Sequence, residues 1–149
     1  VGGPERTYAI DRDAAIRSME AAQQAGLRRY IMVSYLGAGT EHGVPEDNPF
    51  FAYAEAKAEA DQHLRGTRLE YTILGPGMLT TEDEGGISVG VDPVYHSDLS
   101  SHTPRATVAR VLTEVVDDSS TIGKGIPFTG GDTEIRQALA QAPSSSQLR

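Results

Sequence analysis

The stretch RRYIMVSYLGAG, residues 28–39, decides how the chain is read. Its first eight residues form a short apolar run rich in β-favouring side chains, and it leaves into a glycine-containing loop, the pattern of a buried strand. Directly upstream, Ile10, Ala14, Met19 and Ala22 recur at roughly helical spacing between Tyr8 and Ala25, and Gly26 offers a left-handed stop. A helix therefore feeds a buried strand.

The same order repeats downstream. EHGVPEDNP (41–49) reads as loop, Asn48 and Pro49 start a helix that runs to about Arg65, and Gly66 stops it. LEYTILGPG (69–77) is a second buried strand, broken by Pro76 and Gly77. Helix, strand, helix, strand at this rhythm implies right-handed crossovers and a parallel sheet covered by helices, an α/β architecture.

Beyond Gly77 the pattern thins. MLTTEDEGG (78–86) contains an acidic run that reads as a solvated loop or a mobile flap, and ISVGV (87–91) alternates as a short strand does. Thr103 and Pro104 are expected to cap and open a third helix whose Val108, Val111, Leu112, Val115 and Val116 form an apolar stripe. KGIPFTGG (124–131) is a last strand, followed by a short helix from about Thr133 to Ala142 and a tail, PSSSQLR, with nothing to bury. We find no internal repeat, and one domain over 1–142 with a disordered tail at 143–149 is expected.

Composition narrows the function. With no cysteine, disulfide scaffolds, thiolate metal sites and cysteine nucleophiles are excluded, and His42, His63, His96 and His102 lack metal-ligand spacing, so no metal is expected. A formal charge of -8 disfavours nucleic acid, because LRR (27–29) is too short to be a basic stripe. No apolar run approaches the length that crosses a bilayer and no signal-peptide order is evident, so neither a membrane nor a nucleic-acid partner is expected and the reading is cytoplasmic.

FAYAEAK (51–57) places Tyr53 and Lys57 four residues apart, on one helix face. From the residues alone this reads either as a helix surface, the tyrosine packed by its ring and the lysine solvated, or as a reactive pair in which an ammonium lowers the phenol's pKa. Ser34 adds a hydroxyl at the carboxyl end of the preceding strand, where open parallel sheets bind ligands. It could equally satisfy loop backbone.

With these residues in view, the chain resembles the short-chain dehydrogenase/reductase superfamily. More narrowly, AIDRDAAIRSMEAAQQAGLRRYIMVSYLGA, YAEAKAEADQHLR, LEYTILGPG and TGGDTEIRQAL are similar to its atypical subgroup of NAD(P)-binding epimerases or dehydratases. The likeness runs from about Tyr8 to Leu139. It implies a three-layer Rossmann-like parallel sheet with helices on both faces, an NADP or NAD cofactor with NADP slightly preferred, and a small-molecule substrate. It also implies Tyr53 as acid/base, Lys57 on the nicotinamide ribose, Ser34 orienting substrate, Asp11 near the relay position, and Pro76 and Gly77 beside the nicotinamide. Gly75 stands where relatives often carry arginine, and Asp11 reads equally as an early-helix carboxylate.

Such a fold opens with a strand, a glycine-rich turn and a helix that holds the pyrophosphate. VGGP (1–4) is not that turn and no suitable helix is expected after it, while GAGTEHG (37–43) has no helix directly behind it. The chain is thus expected to be the C-terminal two thirds of one NAD(P)-binding domain, its N-terminal βαβ half missing. Weak cofactor binding and homo-oligomerisation or pairing with the missing segment follow from that expectation. Three functions remain in play: an NAD(P)-dependent oxidoreductase or epimerase, a non-catalytic NAD(P)-sensing module, or a truncated chain that cannot bind cofactor alone.

Overall fold

The computed structural model describes residues 3–90 and 102–142. Val91, His96 and the tail at 143–149 lie outside the described residues. The chain divides into two compact units, residues 1–30 with 38–71 and residues 31–37 with 72–149, and the strands at Arg29–Val33 and Glu70–Pro76 contribute residues to both.

In the first unit helix begins at Gly3 rather than Tyr8. Three segments follow without a break: α1 (Gly3–Thr7), a π-helical turn (Tyr8–Ala14) and α2 (Ala15–Gln24). The expectation that no helix follows VGGP is therefore corrected, because Pro4 suits a first turn whose N–H groups have no intrahelical partner anyway. The stop is as expected: Gly26 has φ 73° and Leu27 N–H returns to Ala22 O at 3.0 Å. Asn48 does initiate α3 (Phe51–Arg65), but from outside it, its Oδ1 accepting from Phe50 N–H at 2.9 Å.

α3 packs against the π turn, α1 and α2. Its Ala54, Ala56, Ala58 and Ala60 are all buried, and side chains this small let helices approach closely. Leu64 on α3 and Met19 on α2 are fully buried in the same unit.

In the second unit β1 (Arg29–Val33), β2 (Glu70–Pro76), β6 (Lys124–Gly131) and β4 (Gly86–Val89) form a sheet in the order β1-β2-β6-β4. β2 and β6 are parallel, Leu74 facing Ile126, whereas β4 runs antiparallel to β6. The sheet is thus parallel-dominated, as the sequence suggested, with the short strand expected near 87–91 added antiparallel at its edge. Glycines permit the close pairing of β4 with β6: a Cβ on Gly86 would meet Thr133 O at 2.3 Å, and one on Gly131 would meet Ser88 Oγ at 2.3 Å. Two bare backbones can close on each other there.

A two-stranded parallel sheet joins β3 (Met78–Thr80) to β5 (His102–Pro104). Thr103 is therefore a strand residue paired with Leu79 and not a helix cap; α4 (Arg105–Val116) starts directly after Pro104, whose φ of -59° and ψ of 137° lead into it. Val108, Val111 and Val115 of α4 bury as expected, while Val116 is 50% exposed. With Ile135, Ala138 and Leu139 of α5 (Ile135–Ala140) they cover Leu74, Ile87, Ile126 and Phe128 of the sheet. The start of α5 is capped by Glu134, which accepts from Gln137 N–H.

A buried polar contact ties β2 to the 3₁₀ turn within the second unit. Buried Thr72 on β2 donates its hydroxyl to Thr121 O at 2.8 Å, in the 3₁₀ turn Ser119–Thr121. Thr72→Val keeps the shape but leaves that carbonyl without this donor, so urea denaturation is expected to show a loss of about 1–2 kcal/mol. No measurable change would mean that water reaches the carbonyl.

Candidate active site

The first unit brings together Asp11, Tyr53, Lys57 and a residue not singled out in the sequence, Asp61. Tyr53, Lys57 and Asp61 fall at successive steps of four along α3, so helical geometry puts them on one face. Lys57 is 7% exposed and Asp61 1%, while Tyr53 is half-buried. A solvated lysine on a helix surface is therefore not what the fold contains.

Asp11 comes from the π turn, which packs on α3. It lies beyond the first turn of the helix, because helix begins at Gly3, and the reading of Asp11 as an early-helix carboxylate loses its basis. π-Helical turns interrupt the i→i+4 ladder and recur at functional sites. Asp11 and Tyr53 line a common cleft of about 590 Å³ together with Pro4, Thr7, Ile10, Pro49 and Ala52.

Electrostatics in this cluster depart from the simple pair. Burial raises the Tyr53 phenol above its ordinary 10.0, and the carboxylates of Asp11 and Asp61 push it further the same way. Burial lowers the Lys57 ammonium from 10.5, and the same two carboxylates oppose that fall. The lowered phenol pKa suggested by the Tyr-x-x-x-Lys spacing is thus replaced by a raised one. Burial, with the two carboxylates acting the same way, keeps the proton on Tyr53 at neutral pH.

The approach to α3 is pinned by His42. Its Nδ1 accepts from Val44 N–H at 3.0 Å, which directs Nε2 to Glu55 Oε1 at 2.7 Å, and its ring meets the Phe51 ring edge-on with centroids 5.7 Å apart. Phe50 packs on the Tyr53 ring at 5.1 Å. His42 and Glu55 are separated by 13 residues and no spacing rule pairs them; Asp61, by contrast, was legible as the next step of four after Lys57.

Ser34, Pro76 and Gly77 belong to the second unit. Ser34 follows β1, its N–H donating to Leu74 O at 2.7 Å, and its buried Oγ has no hydrogen-bond partner among the described residues. It does not satisfy loop backbone. On the adjacent strand Leu36 N–H donates to Pro76 O at 2.8 Å and Gly77 N–H to Phe128 O at 2.9 Å. Gly75 is in β2, where a Cβ would lie 3.1 Å from Tyr35 O, so the close approach of that carbonyl favours glycine at this position.

Among the described residues no group of three metal-ligating side chains is present, and no helix is long and apolar enough to cross a membrane.

A parallel-dominated α/β sheet is an architecture shared by nucleotide-binding α/β proteins. Residues 1–119 match the family model described as NAD(P)H-binding, and the chain belongs to that family, with the relationships of an atypical short-chain dehydrogenase/reductase. It is similar to YhfK of Bacillus subtilis, described as an uncharacterized sugar epimerase, with 33% identity over 92% of this chain and 61% of the relative. A solved structure from Bacillus halodurans, described as an NAD-dependent epimerase/dehydratase, has 35% identity and a TM-score of 0.82 over 94% of this chain and 64% of that one. The oxidoreductase ylbE from Lactococcus lactis has 30% identity and a TM-score of 0.80 over the same shares, 94% and 64%. The chain thus spans 61% of the curated relative and 64% of each solved structure.

Proposed function

We propose that the chain supplies the proton-transfer side of an NAD(P)-dependent oxidoreductase or epimerase of short-chain dehydrogenase/reductase type. Tyr53 is the acid/base, Lys57 holds the nicotinamide ribose, Asp11 borders the substrate cleft, and Ser34 orients the substrate. Pro76 and Gly77 flank the nicotinamide. The observation that carries this reading is the buried Tyr53–Lys57 face, with Asp11 and Tyr53 lining one cleft.

The residues present suit the nicotinamide end of the cofactor. A buried serine hydroxyl with no partner among the described residues is a group that a ligand would satisfy, and Lys57 supplies an ammonium in a desolvated setting. The 149 residues contain no G-x-x-G-x-x-G turn, so pyrophosphate binding is not assigned to any of them. When bound, a nicotinamide supplies hydride chemistry. This chain's own part is the proton: Tyr53, protonated at neutral pH, donates to the substrate oxygen, and Lys57 offsets the negative charge left on the phenolate.

Calorimetric titration of NADPH, then NADH, into the protein tests the cofactor. Saturable heat is expected, with NADPH the first choice. Silence with both would remove the cofactor and with it the roles of Tyr53 and Lys57.

A non-catalytic NAD(P)-sensing module is the second reading, favoured by the two carboxylates that oppose phenolate formation. Cofactor binding without turnover of any carbonyl compound or sugar nucleotide would support it.

A further inference from the structure

We propose that Asp61 is a positioning residue of this site, whose carboxylate keeps the buried Lys57 in its charged form on the Tyr53 face of α3. The catalytic meaning of this role rests on the function proposed above; its electrostatics do not.

The geometry is that of α3. Asp61 is one helical turn beyond Lys57 on the Tyr53 face, and at 1% exposure it is more deeply buried than the lysine at 7%. An isolated ammonium taken out of water neutralises rather than remain charged, so a buried lysine that is to act as a cation needs a nearby anion. The elements packed against α3 also carry Glu5 and Arg6 on α1, Arg6 lining the cleft with Asp11 and Tyr53, and Arg17 and Glu20 on α2. On the π turn, Arg12 is engaged by Asp13 at 2.6 Å and by Glu59 of α3 at 3.4 Å, and Glu55 is engaged by His42. Asp11 is the second carboxylate that acts on Lys57, but it lines the cleft and is only half-buried, so solvent and ligand reach it. Asp61 is the anion that burial removes from solvent, and its effect persists when the cleft fills.

Neutralising Asp61 removes a field that raises both neighbours, so both are expected to deprotonate at lower pH. This separates the role from simple helix packing.

The test is Asp61→Asn beside Asp61→Glu, with Lys57 dimethylated by carbon-13 formaldehyde and its methyl resonance followed against pH. A Lys57→Arg variant identifies the signal. In Asp61→Asn the Lys57 midpoint is expected to fall and the 295 nm phenolate transition of Tyr53 to move the same way. Asp61→Glu should retain most of the original values. An unchanged Lys57 midpoint in a folded Asp61→Asn protein overturns the proposal, whether or not any substrate is turned over. If Asp61→Asn does not fold, the Lys57→Met, Asp61→Asn double variant decides: recovered folding supports charge balance between the two, and continued failure to fold overturns it.

Discussion

Tyr53→Phe is expected to lower turnover by about 10²–10⁴-fold, the range for loss of a positioned general acid, while leaving NADPH affinity within about twofold. The split follows from what the hydroxyl does and the ring does not. The ring keeps its contact with Phe50 in the phenylalanine variant and the cleft keeps its wall, so binding has no reason to change. Only the proton is lost. Because burial and two carboxylates hold the phenol above its ordinary 10.0, Tyr53 is the donor form throughout the neutral range. Reduction of a carbonyl substrate should therefore be independent of Tyr53 ionisation through neutral pH and should fall only above pH 10. Steady-state rates against pH for the wild type and the variant check this. A basic limb with a midpoint below 9 that disappears in Tyr53→Phe would sink the donor assignment, and equal rates in the two proteins would sink the acid/base role itself.

Gly86→Ala is expected to cost about 3 kcal/mol, the upper part of the usual range for forcing atoms into a closed space. The methyl would meet Thr133 O at 2.3 Å and Gly131 O at 2.9 Å, both backbone atoms that no rotamer change can move. Relief requires β4 to lift from β6, and with it Ile87, which is fully buried in the core against α4 and α5. Ile87 N–H also donates to Thr133 O at 2.9 Å, so the same movement loosens a hydrogen bond. Thermal or urea unfolding of the variant gives the number. A loss under about 1 kcal/mol would mean that the two strands shift apart more easily than their pairing implies.

The buried strands and the helices were legible because each carries its own local pattern: β1 and β2 as apolar runs, α4 as a valine stripe, α2 by its glycine stop. β3 and β5 were not. Met78 and Leu79 are 54% and 40% exposed, so no buried face marked their strand, and Thr103-Pro104 looks the same as a strand end and as a helix start. β4 was legible as the alternating stretch ISVGV but its antiparallel direction was not, since the glycines that permit that pairing carry no side chain and leave no hydrophobic pattern.

At the site, Tyr53 and Lys57 were visible through spacing, and their burial was not. Burial depends on which elements cover a helix face, and an alanine-rich sequence reads alike whether its alanines meet solvent or another helix. The direction of the phenol's pKa shift was hidden for the same reason: a motif names the cation but not the two carboxylates, one of them 42 residues upstream of Tyr53 in the π turn.

That turn also bears on how the protein tolerates change in length. A helix that already carries a wider loop of hydrogen bonds at Tyr8–Ala14 has a place where one residue can be gained or lost without rephasing Met19 and Ala22 against their neighbours. What such an event would alter is the bearing of Asp11 toward the cleft. The carboxylate that shares this cleft with Tyr53 is thus open to re-aiming by single-codon insertions and deletions that leave the packing of α2 untouched.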